Sequence, residues 1–138
     1  MNIKKYPQYH LYLLTLHLLT MKQQLIPQNC DERCVNATII NRAYYSAYLF
    51  CKLWLEDVKK FKTVPYWEFD ENEKKISKHK QVRNALYNFD EKQMGSSLNR
   101  LFDLRHKADY NPFTDITPDE VTTAINTMEK IFNKLKFE

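Results

Sequence analysis

Thr117-Pro118-Asp119-Glu120-Val121-Thr122-Thr123-Ala124-Ile125-Asn126-Thr127-Met128 is the stretch that decides the fold class. A threonine followed three residues later by glutamate is a capping box, and Pro118 suits the first helical turn, where a missing N–H costs nothing. Beyond it, Val121, Ile125, Met128, Phe132 and Leu135 recur by four and three, the spacing of one buried helical face. A helix with so narrow an apolar stripe packs in a bundle.

Working outward, Asn111-Pro112 closes the helix before it, because the residue preceding proline disfavours helical geometry. That helix is expected to start at Ser96, as a cap after the Gly95-Ser96 break, and to reach Ala108 or Asp109. A third helix is predicted from Lys74 or Ser77 to Phe89, with Val82, Leu86 and Phe89 inward and Lys78, Lys80 and Arg83 largely outward. Residues 60 to 75 lack periodicity and read as a long connection carrying an aromatic cluster, Tyr66, Trp67 and Phe69.

The second helix, residues 31 to 59, is the most apolar. Val35, Ile39, Ala43, Ala47, Phe50 and Trp54 mark one face, and Ile40, Tyr44, Cys51 and Leu55 widen it. It reads as the central helix, with a girth that invites dimerisation for cover. The first runs from Pro7 to about Leu25, is closed by Pro27, and carries the stripe Leu11, Leu14, Leu18, Met21, Leu25. The expectation is therefore an all-α fold, a five-helix up-and-down antiparallel bundle, formed by residues 1–138 as one domain.

Composition excludes several classes of function. The single glycine, Gly95, rules out Walker loops, dinucleotide fingerprints and nucleophile elbows, all of which need several glycines. A formal net charge of +4 is compatible with a polyanionic partner without demanding one. Cys30, Cys34 and Cys51 are odd in number and lack a CxxC spacing, which suggests free thiols in a reducing compartment and no metal site. No stretch reaches the roughly 18–20 apolar residues of a membrane span. His17 and Thr15 interrupt the apolar run that would otherwise resemble a leader. The expected location is the cytoplasm, with no membrane partner and no cofactor.

Charge then interrupts the pattern where apolar residues are due. In Leu98, Leu101, Phe102, Arg105, Ala108 and Asp109, one helical face ends on an arginine and an aspartate. Arg42 likewise shares a stripe with Val35, Ile39, Ser46, Leu49 and Leu53. A charge directed at a core must be paired or serve a ligand, so Arg42 is predicted to reach Asp109 or Asp103.

Three segments occur in order: Asn41-Arg42-Ala43-Tyr44-Tyr45-Ser46-Ala47-Tyr48, Ser77-Lys78-His79-Lys80-Gln81-Val82, and Leu101-Phe102-Asp103-Leu104-Arg105-His106-Lys107-Ala108-Asp109-Tyr110. Together they resemble the HEPN family of prokaryotic helical domains. The resemblance implies a homodimer with the fourth-helix motifs facing across a cleft. It also implies metal-independent RNase chemistry, a toxin–antitoxin or defence setting and, in some members, control by a nucleotidyltransferase. In that family an arginine is followed after four to six residues by a histidine. The arginine would hold the scissile phosphate while the histidine moves a proton.

Here the fifth residue after Arg105 is Tyr110, and no histidine follows it. A phenol with an ordinary pKa near 10 is a poor base at neutral pH. The reading therefore favours binding of RNA or nucleotide at the dimer cleft through Arg105, Asp109, Tyr110 and Arg42. Catalysis would rest on Arg105, His106 and Tyr110, with His106 of one subunit beside Arg105 of the other. The competing expectation is a non-catalytic protein-interaction module that pairs with a nucleotidyltransferase or another partner.

Overall fold

The computed structural model describes residues 2–26, 31–65, 67, 70–71 and 74–137, with backbone alone at 70–71 and 74–75. These residues form an all-helical bundle: α1 Pro7–Leu25, α2 Glu32–Val58, α3 Lys78–Asn88, α4 Lys92–Tyr110 and α5 Pro118–Lys134. A single 3₁₀ turn, Ile3–Lys5, precedes α1. A two-residue antiparallel ribbon, β1 Asp70–Glu71 with β2 Lys74–Lys75, interrupts the connection between α2 and α3.

The central helix is α2, and the other four helices all pack against it. Asp31 caps its start through the backbone N–H of Arg33. All ten residues assigned to its apolar faces are buried. Phe50 stacks on Phe132 of α5, ring centroids 4.1 Å apart, and the Trp54 indole N–H donates to the carbonyl of Lys136 at 2.8 Å. Four neighbours in the same chain thus give α2 the cover for which a dimer was expected.

The first helix has the expected ends but a different roll. Leu14 is 49% exposed, whereas Thr15 and Lys22 face inward. With leucines nearly all round α1, periodicity cannot select a face, and packing of aromatic rings does. Tyr12 stacks on Phe132 at 4.5 Å and Tyr6 on Phe137 at 6.1 Å. Thr15 tolerates burial because its hydroxyl donates to the carbonyl of Leu11 at 2.8 Å. Pro27, expected to close this helix, lies outside the described residues, as does Cys30.

The third helix begins on a Ser77 cap and buries Val82 and Leu86 as expected. Phe89 proves to be its exposed C-cap. Gln81, buried at its core, accepts from the backbone N–H of Val64 at 3.0 Å and donates to the carbonyls of Val64 and Ile76, each at 2.9 Å. One amide thereby pins both ends of the long connection. Of the aromatic cluster there, Trp67 is exposed, while Tyr66 and Phe69 lie outside the described residues. Gln81→Ala should cost about 2–4 kcal/mol, since it leaves buried backbone groups unpaired. Urea titration would check this, and a cost as small as that of an exposed substitution would remove the pin from the account.

The fourth helix starts one turn earlier than the glycine suggested. Gly95 and Ser96 lie inside it, and a Cβ on Gly95 would come within 2.9 Å of the Tyr87 ring. The glycine therefore permits a close approach between α3 and α4. Ser96 bonds the Tyr87 hydroxyl at 2.9 Å and does not act as the cap.

The fifth helix carries the full capping box of Thr117 and Glu120. Glu120 is also gripped by Lys107 of α4, at 2.8 and 3.0 Å. The Lys107 hydrogen bond leads the influences that hold the Glu120 carboxyl below its ordinary range. A depressed carboxylate pKa stabilises the fold above the unfolded value and loses that contribution as pH falls through the folded one. Acid melts below about pH 4 should therefore separate wild type from Glu120→Gln less than melts at neutral pH do.

Candidate functional site

The C-terminal half of α4 presents Arg105, His106, Asp109 and Tyr110, and its end is held in place from α2. Arg33 donates to the carbonyls of Asn111 and Thr114, each at 2.8 Å, and of Ala108 at 3.2 Å. These are the carbonyls that a helix end and its following turn leave without partners.

Arg105 is mostly enclosed, with 15% of its side chain exposed. Its Nε lies 2.8 Å from Asp109 Oδ2, a charge contact that is not aligned as a hydrogen bond. One Nη donates to the Tyr45 hydroxyl at 3.2 Å. The guanidinium carbon lies 5.4 Å from the Tyr45 ring centroid, 5.3 Å from that of Tyr110 and 6.0 Å from that of Tyr44. Burial works against its charge, but the phenols of Tyr45 and Tyr110 and the Asp109 carboxylate outweigh it and raise the pKa. Arg105 is a fixed cation in an aromatic box.

Arg42 does not reach Asp109 or Asp103. Its Nε donates to Asn41 Oδ1 at 2.9 Å, its Nη2 bonds the same oxygen, and Asn41 Nδ2 donates to Asp109 Oδ2 at 2.9 Å. Asp109 is already engaged by the arginine one turn before it, an i,i+4 neighbour that needs no second helix. Asp103 stays exposed. Arg42 also lies 5.4 Å from the Tyr45 centroid, so two guanidiniums flank one tyrosine. Beside them opens a cavity of about 510 Å³, lined by Arg33, Cys34, Asn41, Arg42, Asp109 and Pro112 among others.

His106 and Tyr110 are both exposed, with rings 4.9 Å apart. Tyr110 thus joins Arg105 on one side and His106 on the other, while His106 stands on the solvent side of the group. Four participants were not named from the sequence as site residues: Asn41, Tyr44, Tyr45 and His79. The His79 ring stacks on Tyr48 at 4.2 Å and on Tyr44 at 5.6 Å, and its Nδ1 is hydrogen-bonded to the Tyr44 hydroxyl. Burial, then Arg105 and Arg83, lower the His79 pKa, while burial drives that of Tyr44 far up. The available signal was spacing: Asn41 with Tyr45, and Tyr44 with Tyr48, repeat at four on α2.

Among the described residues there is no cluster of three or more His, Cys, Asp or Glu able to hold a metal, and no helix long and apolar enough to cross a membrane. Compared with known proteins, the chain matches no curated protein and no solved structure. The family model for the HEPN domain matches residues 66–137, which include α3, α4 with the Arg105 motif, and α5. With more than half of its length matched and a helical bundle as its fold, the chain belongs to the HEPN domain family.

Proposed function

We propose that this HEPN protein binds RNA or nucleotide phosphate through Arg105 and Arg42, at a cleft completed by a second copy of the chain. Residues 1–138 act as one domain in this reading, in the cytoplasm and in a toxin–antitoxin or defence setting. The observation that carries it is the pair of guanidiniums on Tyr45. Arg42 spends its hydrogen bonds on the neutral amide of Asn41, and the carboxylate of Asp109 is shared between Arg105 and Asn41. Two guanidiniums against one carboxylate leave net positive charge at Tyr45, beside an open cavity to which Arg33 and Asp31 add one charge of each sign, with Tyr110 exposed for stacking on a base or sugar.

The test is fluorescence anisotropy of a labelled single-stranded oligoribonucleotide with wild type, Arg105→Ala and Arg42→Ala at several salt concentrations. Both variants should weaken binding, and each should flatten the salt dependence by about one phosphate. Sedimentation in the same buffers reports the dimer.

Cleavage is favoured by one further observation, the exposed imidazole of His106, next to Arg105 in the chain and tilted against the Tyr110 ring at 4.9 Å. Incubating tRNA or structured RNA with wild type, Arg105→Ala and His106→Ala decides it, and equal cleavage by all three discards the scheme. The interaction-module reading draws on Phe113, fully exposed just past α4, beside Tyr110 at 58%. Binding of a nucleotidyltransferase or other protein through that knob should be lost on Phe113→Ser, with RNA affinity unchanged.

A further inference from the structure

The motif on α4 lacks its histidine, and α3 brings another histidine to the same tyrosines. His79 and Arg105 both lie within about 6 Å of the Tyr44 and Tyr45 rings: His79 at 5.6 and 6.0 Å, Arg105 at 6.0 and 5.4 Å. We propose that His79 is the histidine of the Arg105 site and that its Nε2 contacts the phosphate that Arg105 holds. This rests on the phosphate-binding reading above and assigns that site a second ligand-contacting residue.

The argument turns on which ring nitrogen is available. Tyr44 is fully buried, and its raised pKa keeps the hydroxyl protonated. A buried O–H needs an acceptor, and its partner is His79 Nδ1. With Nδ1 accepting, neutral imidazole carries its proton on Nε2. Nε2 has no hydrogen-bond partner among the described residues and is not among the buried unpartnered atoms. The stack on Tyr48, with rings inclined by 13°, fixes the plane of the ring. Tyr44 thus positions His79 as an oriented N–H donor beside a guanidinium, and two donors of this kind suit the oxygens of one phosphate.

The groups facing His79 are Tyr44, Tyr45 and Tyr48 of α2, Arg83 of α3 and Arg105 of α4. In the protein alone, burial and then Arg105 and Arg83 favour neutral imidazole. A bound phosphate reverses the local field and raises the His79 pKa. The complex then holds more proton than the free protein, so affinity rises as pH falls through the pKa of the complex.

The experiment uses the full chain and a short 2′-O-methylated oligoribonucleotide, which binds without being cleaved. The chain has four histidines, His10, His17, His79 and His106, so their ring ¹⁵N signals are few and His79→Gln identifies one of them. On titration the His79 Nε2 signal should move, and those of His10 and His17 on α1 should not. His79→Gln should weaken binding about three- to tenfold. It should also shrink the affinity gain between about pH 8 and about pH 5.5. An oligonucleotide that binds in an Arg105-dependent way while the His79 signal stays still overturns the proposal and leaves the Arg105 reading standing. Absence of binding, or binding indifferent to Arg105→Ala, overturns both. Should His79→Gln fail to fold, His10→Gln, His17→Gln and His106→Gln assign the other three signals, the fourth is that of His79, and the wild-type titration still decides.

Discussion

Truncating Phe50 to alanine should destabilise the protein by about 3–5 kcal/mol, the largest single-residue effect expected on the fold. Phe50 is almost wholly buried at the middle of α2, stacked at 4.1 Å on Phe132 and tilted at 5.3 Å against Phe137. Its removal deletes transfer energy and leaves a cavity that rings on three elements cannot collapse into without breaking their own contacts, including the stack of Tyr12 on Phe132. Domains of this size have about 5–15 kcal/mol in total, so roughly a fifth or more would go. Urea unfolding measures it against Phe113→Ala, a fully exposed control expected to cost less than about 0.5 kcal/mol. Equal costs for the two would mean that α2 is not central.

The second large effect is on ligand binding. Arg105→Ala should lower affinity for a single-stranded oligoribonucleotide by about 10- to 150-fold, the worth of charged hydrogen bonds at about 1.5–3 kcal/mol. Arg105→Lys should fall between, because it keeps the charge but loses the planar fork. The fold should survive both. Asp109 retains Asn41 Nδ2 as a partner at 2.9 Å, so removal of the guanidinium does not strand a buried carboxylate. Parallel melting curves separate lost binding from lost structure. An Arg105→Ala protein that binds as wild type would reduce the tyrosine box to packing.

The sequence disclosed helix identity wherever a narrow stripe or a cap was present. α5, with its Thr117 box, and α2, with its wide but consistent apolar face, were legible to within a residue. The roll of α1 was not, because leucines on every side carry no directional signal and Tyr12 and Phe132, far apart in the chain, settle it. Gly95 misled for a related reason: glycine marks a helix break in isolation but a close contact when Tyr87 lies across it. At the site, the misfit of Arg42, Arg105 and Asp109 was visible and their pairing was not. Arg42 finds its immediate neighbour Asn41, and His79 arrives from a helix that read chiefly as a solvated basic face.

Cys34 gives the cavity beside Arg42 a practical property. Its thiol is exposed and lines that cavity, while Cys51 is wholly buried, with burial pushing its pKa far above the ordinary thiol value. Reaction requires thiolate and access, and Cys51 has neither. In a Cys30→Ser background, a maleimide or a small fluorophore should therefore enter at Cys34 alone, a few side chains from the two guanidiniums. The rate at which it enters, with and without an oligonucleotide present, then becomes a built-in gauge of occupancy that needs no label on the ligand.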